Sequence, residues 1–65
     1  MKNLLVFWKR GLISRKATII QAREIVYDAV AKNQIDDDKA FMLMDRISEW
    51  ANGNISAEEL EVSFN

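Results

Sequence analysis

Along most of this chain, apolar residues recur at the three- and four-residue spacing of a helix. Over residues 14–33, Ile19, Ala22, Val26, Ala29 and Val30 fall on one side, and Gln21, Glu24, Asp28 and Lys32 fall opposite. Asp28 and Lys32 stand four apart with the acid first, the favourable order for an ion pair along a helix. No glycine or proline interrupts the segment. Two starts compete. Thr18-x-x-Gln21 has the form of a capping box, and Ser14 offers a cap one turn earlier. A second helix is predicted over 36–51. Three aspartates, Asp36, Asp37 and Asp38, stand where free amides and the helix dipole favour negative charge. Ala40, Leu43, Met44, Ile47, Trp50 and Ala51 form its apolar stripe, and Asn52-Gly53 ends it. Ser56-x-x-Glu59 is a second capping box, with Ile55 placed as a hydrophobic staple on Leu60. It opens a short helix over 57–63, packed back through Leu60, Phe64 and Val62.

The first dozen residues carry no period. Leu4 to Trp8 are all apolar, which suits a buried strand or a buried helix. A strand would need Leu12-Ile13 as partner across Arg10-Gly11, a poor hairpin turn. A short helix is preferred, ended by Gly11, with Leu12 folding back on Phe7 and Lys9-Arg10 in the favourable last turn. The expected fold is therefore all-α and a single domain over 1–65. Two long antiparallel helices meet at Asn33-Gln34-Ile35, with short helical segments at both ends.

Composition narrows the chemistry. A chain of 65 residues buries only about 60% of the surface its unfolded form exposes. There is no cysteine and no histidine. That removes disulfides, the usual zinc ligands, a cysteine nucleophile and the commonest general base. Ser14 with Lys16, or Ser48 with a nearby acid, lacks the positioned base that a nucleophilic serine needs. No enzyme activity is expected. Net charge is −1, but residues 1–32 hold seven bases and two acids, whereas residues 33–65 hold two bases and eight acids. The two halves either neutralise each other on folding or present a basic and an acidic surface to partners. The apolar run before Lys9 is too short for a signal peptide, and no stretch approaches the roughly 20 apolar residues of a membrane span. A cytoplasmic location is expected.

Residues 52–60 (Asn-Gly-Asn-Ile-Ser-Ala-Glu-Glu-Leu) resemble the second half of an EF-hand calcium loop. Gly53 would be the sharp-turn glycine and Glu59 the closing bidentate ligand, with Ile55 at the aliphatic position. The resemblance implies calcium, but Ser48 and Trp50 stand where such loops open with oxygen ligands. A helix stop followed by a capping box accounts for every residue. Asp36, Asp37 and Asp38 are consecutive and splay apart. No metal or other cofactor is expected.

The remaining candidates are surfaces. With Ala40 at the centre of the second stripe, Phe41 lies about 100° round and Met42 about 200° round. Together with Arg46 they suggest an adaptable apolar patch for a protein partner. Phe7 and Trp8 extend the supply of large apolar residues beyond what one small core needs. Arg23 and Tyr27 are spaced to stack, which is the structural reading of that base in an apolar arc; the functional one is an interface arginine. The expected function is a small interaction module: an adaptor, inhibitor or regulator of the size common in phages and mobile elements. It would bind a protein partner, itself as a homodimer, or both, through Phe41, Met42, Arg46, Phe7 and Trp8. The alternative is a nucleic-acid-binding regulator that neutralises phosphates with Lys9, Arg10, Arg15 and Lys16.

Overall fold

The three cap signals each open a helix. In the computed structural model, which describes residues 2–64, Ser14 accepts from the Ala17 amide at 3.1 Å and starts α2, Arg15–Ala31. Asp36 accepts from the Lys39 amide at 2.8 Å and starts α3, Asp37–Ala51. Ser56 and Glu59 exchange both bonds of a capping box and start α4, Ala57–Ser63. Helix α1 spans Lys2–Lys9, so the periodless run is helical, and the described residues contain no strand. Thr18 is not a cap. It lies inside α2, fully buried, and its hydroxyl donates to the Ser14 carbonyl at 2.8 Å. That bond satisfies a group that would otherwise be costly to bury.

The three connections are built alike. After each of the first three helices one residue turns left-handed: Gly11 at φ 73°, Asn33 at φ 57° and Gly53 at φ 79°. The amide of the residue after it reaches back to a helix carbonyl: Leu12 to Phe7 at 2.9 Å, Gln34 to Ala29 at 2.8 Å, Asn54 to Glu49 at 2.9 Å. These are Schellman closures, which satisfy carbonyls orphaned at a helix end. An isoleucine follows each time (Ile13, Ile35, Ile55), packed on the core, and then the next N-cap, Ser14, Asp36 or Ser56. The order of left-handed residue, spacer, isoleucine and cap is thus used three times. Leu12 does not fold back as expected. Its side chain stays exposed, and the backbone bond alone closes the turn.

Helices α2 and α3 form an antiparallel hairpin about 25 Å long. At one end Val30 and Ala31 share a groove with Asp37 and Ala40; at the other, Arg15 of α2 reaches Trp50 of α3. Helix α1 lies along α2, α4 lies along α3, and α1 meets α4. The result is two layers, α2/α3 and α1/α4. The core between them comprises Leu4 and Leu5 of α1, Ala22 and Val26 of α2, Leu43, Ile47 and Trp50 of α3, and Ala57 and Leu60 of α4. Fully burying a Val, Leu or Ile side chain stabilises by about 1.5–3 kcal/mol, and the two alanines contribute less. The second layer therefore covers one face of the hairpin and leaves the opposite face open.

Candidate interaction surface

The open face is built by residues one helical turn apart. On α2, Lys16, Ile20, Arg23 and Tyr27 follow at four- and three-residue steps and are all exposed. On α3, Asp37, Phe41 and Asp45 do the same. Between the two rows runs a groove of about 520 Å³, lined mainly by Val26, Tyr27, Val30, Ala40, Phe41 and Met44, with Asp37 at one end. Tyr27 is 64% exposed and Phe41 74%. Isolated exposed hydrophobes are ordinary, but two aromatic rings on the rims of one apolar groove are a contiguous patch.

The residues expected to contact a protein partner do not come together. Phe41 lines the α2/α3 groove. Met42, 37% exposed, does not line it. Arg46, one turn after Met42, lines a separate cleft between α3 and α4 with Glu58, Glu59 and Val62. Phe7 lines a third groove, between α1 and α2, with Leu4, Gln21 and Ile25. A single Phe41–Met42 patch is therefore corrected to two separate flanks of α3, as the 100° step between neighbouring helical residues dictates. Trp8 lies apart from all of these. It is half-buried and packs on the core, its ring edge-to-face with Trp50 at 4.9 Å between centroids. Tyr27 is the residue missed, although it completes a second α2 stripe with Lys16, Ile20 and Arg23 that is readable from spacing.

The four bases of the nucleic-acid reading are partly engaged within the fold. The Arg15 guanidinium sits 5.3 Å from the Trp8 ring centroid and 4.9 Å from that of Trp50. Arg15 and Lys16 open α2, whose first turn carries no acid, so both stand at the wrong end of the helix dipole. Two indole faces offset that penalty for Arg15 and tie the end of α1, the start of α2 and the end of α3 together. The expected Arg23–Tyr27 stack does not form; Arg15 is the stacked arginine among the described residues. Lys9 pairs with Glu58 of α4. That bond, then the helix amide and the lysine charge, hold the exposed Glu58 carboxyl below its ordinary value. Arg10 and Lys16 remain at the surface.

Asp36 is spent as a cap, and among the described residues no three acidic side chains converge as a metal site would require. Glu59 is held by the Ser56 amide within the capping box rather than aimed into a loop. No helix of the described residues is long and apolar enough to cross a membrane. No protein-family model, no curated protein and no solved structure matches the chain.

Proposed function

We propose that the chain is a non-enzymatic protein-interaction module that works through the open face of the α2/α3 hairpin, as an adaptor, inhibitor or regulator of the protein it binds. The observation that carries this reading is the exposed Tyr27–Phe41 pair on the rims of an apolar groove. Folding does not account for it. The cores of protein interfaces are enriched in aromatic residues and arginine, and energetic anchors concentrate there. Tyr27, Phe41 and Arg23 supply both types on one face.

The test is retention of a partner from a lysate of the source cells at high salt, comparing the native chain with Phe41→Asp. An apolar interface holds at high salt and fails in the variant. Binding to generic duplex DNA that falls steeply with salt and ignores Phe41→Asp would overturn the reading in favour of phosphate recognition.

A further inference from the structure

We propose that the partner for this face is a second copy of the chain, packed face to face about a two-fold axis running along the helices. Each α2 then lies over the α3 of the other copy. The inference rests on reading the open face as a protein-binding surface, and it names the occupant.

The argument is self-complementarity. A two-fold dimer uses the same patch on both subunits, so that patch must match itself. The open face does so in charge. Its α2 rim is basic, with Lys16 and Arg23, and its α3 rim is acidic, with Asp37 and Asp45. None of the four is in an ion pair among the described residues, where the pairs formed are Lys9–Glu58 and Asp28–Lys32. Rotation about an axis along the groove sets each basic rim over an acidic one. A two-fold perpendicular to the helices would instead set α2 on α2, base against base.

Levels along the hairpin agree. Tyr27 lies seven residues before Gln34 in the turn and Phe41 seven after it, so in an antiparallel hairpin the two stand at a common level, on the rims of the groove they share. One turn back along α2 is Arg23, and one turn on along α3 is Asp45, which places those two at a common level. The rotation keeps levels unchanged. The Tyr27 and Phe41 rings of both copies therefore meet at the centre, with two Arg23–Asp45 pairs beside them. All neighbouring helices across the interface run antiparallel, which also aligns their dipoles favourably.

Size is adequate. Two helices of 17 and 15 residues present a face about 25 Å long and about 20 Å wide. That is about 500 Å² in projection per copy, or about 1,000 Å² for the pair, at the lower bound for a specific interface.

The experiment is sedimentation of the full chain from about 1 µM to about 1 mM, with helix content followed by circular dichroism. The native chain should pass from monomer to dimer within this range. Phe41→Asp should keep its helix content and lose about 100-fold or more in self-affinity, because the new charge would be buried unpaired. Arg23→Asp and Asp45→Arg should each lose about tenfold, since each sets like charges together. An equimolar mixture of the two single variants should recover association. In that mixed pair every acid at these positions meets a base on the other copy.

A mixture that stays as weak as its components would overturn the inference, and so would dimerisation indifferent to Phe41→Asp. A strict monomer at the highest concentration overturns it too. If that monomer still retains another protein through Phe41, the broader reading of the face survives.

Discussion

The two faces of the α2/α3 hairpin differ in what folding explains. The inner face carries Leu43, Ile47 and Trp50, all buried in the core. The outer face carries side chains of comparable size, Ile20, Tyr27 and Phe41, and they stay exposed among the described residues. A second layer of two short helices, α1 and α4, has enough width to seal one side only. The chain thus spends its capping groups and most of its apolar residues on a single sealed interior. What remains on the other side is not accounted for by the core, and on the reading proposed above it is the contact surface.

That contrast can be broken most forcefully from the inside. Leu43→Asp places an unpaired charge at the centre of the inner stripe, where burial costs several kcal/mol and the chain has no large reserve. It should unfold, with loss of the helical circular dichroism signal at 25 °C. A folded Leu43→Asp would mean that the inner face is not the core.

A smaller effect belongs to the junction at one end of both faces. Arg15→Ala removes a cation stacked on Trp8 and Trp50 and should lower stability by about 1–2 kcal/mol in chemical unfolding. Arg15→Lys should recover part of it, because the charge remains while the planar stacking is lost. Equal losses from the two substitutions would make packing area, rather than the cation, the important feature. The same measurement separates a structural Arg15 from a phosphate-binding one, since an idle surface arginine would show no stability change.

The smallest effect comes from the tie between the two short helices. Glu58 is held below its ordinary value chiefly by its bond to Lys9. A carboxyl with a depressed folded value contributes stability above its unfolded value, about 4.3, and loses it as the pH falls through the lower folded one. The thermal midpoints of the native chain and Lys9→Ala should therefore differ slightly at pH 7 and converge toward pH 3. Because the pair is exposed, the difference should be small and shrink with salt. A gap that persists in acid would mean that Lys9 acts through its aliphatic stem.

Much of this architecture is legible from local chemistry. Ser14, Asp36 and Ser56 mark helix starts, and Gly11, Asn33 and Gly53 mark stops, because each supplies a bond or a backbone conformation that the adjoining helix end needs. The stripes of α2 and α3 follow from their periods. Three things are not captured in that way. Trp8 and Trp50 are remote in the chain, so their edge-to-face contact and the arginine between them depend on tertiary packing. Phe7 and Trp8 are neighbours of similar chemistry, yet a helix turns one toward an open groove and the other toward the core. Phe41 and Met42 likewise part by about 100°, a step readable from the sequence, but which of the two borders a groove depends on where α2 packs. The shared connection of left-handed residue, spacer, isoleucine and cap was visible in Gly-Leu-Ile-Ser, Asn-Gln-Ile-Asp and Gly-Asn-Ile-Ser. It escapes a search for repeated domains because it repeats a joint rather than a helix.

The central claim, that the outer face serves contact and not folding, is tested most directly by chemical unfolding of Phe41→Asp at low micromolar concentration, where self-association is weakest. Phe41 stands next but one to Leu43 on the same helix, so the two positions share every local influence except the face they occupy. The account predicts that Phe41→Asp unfolds within about 0.5 kcal/mol of the native chain, the usual range for an exposed site. A loss of several kcal/mol, comparable to that of Leu43→Asp, would contradict it and place Phe41 among the residues that hold the domain together.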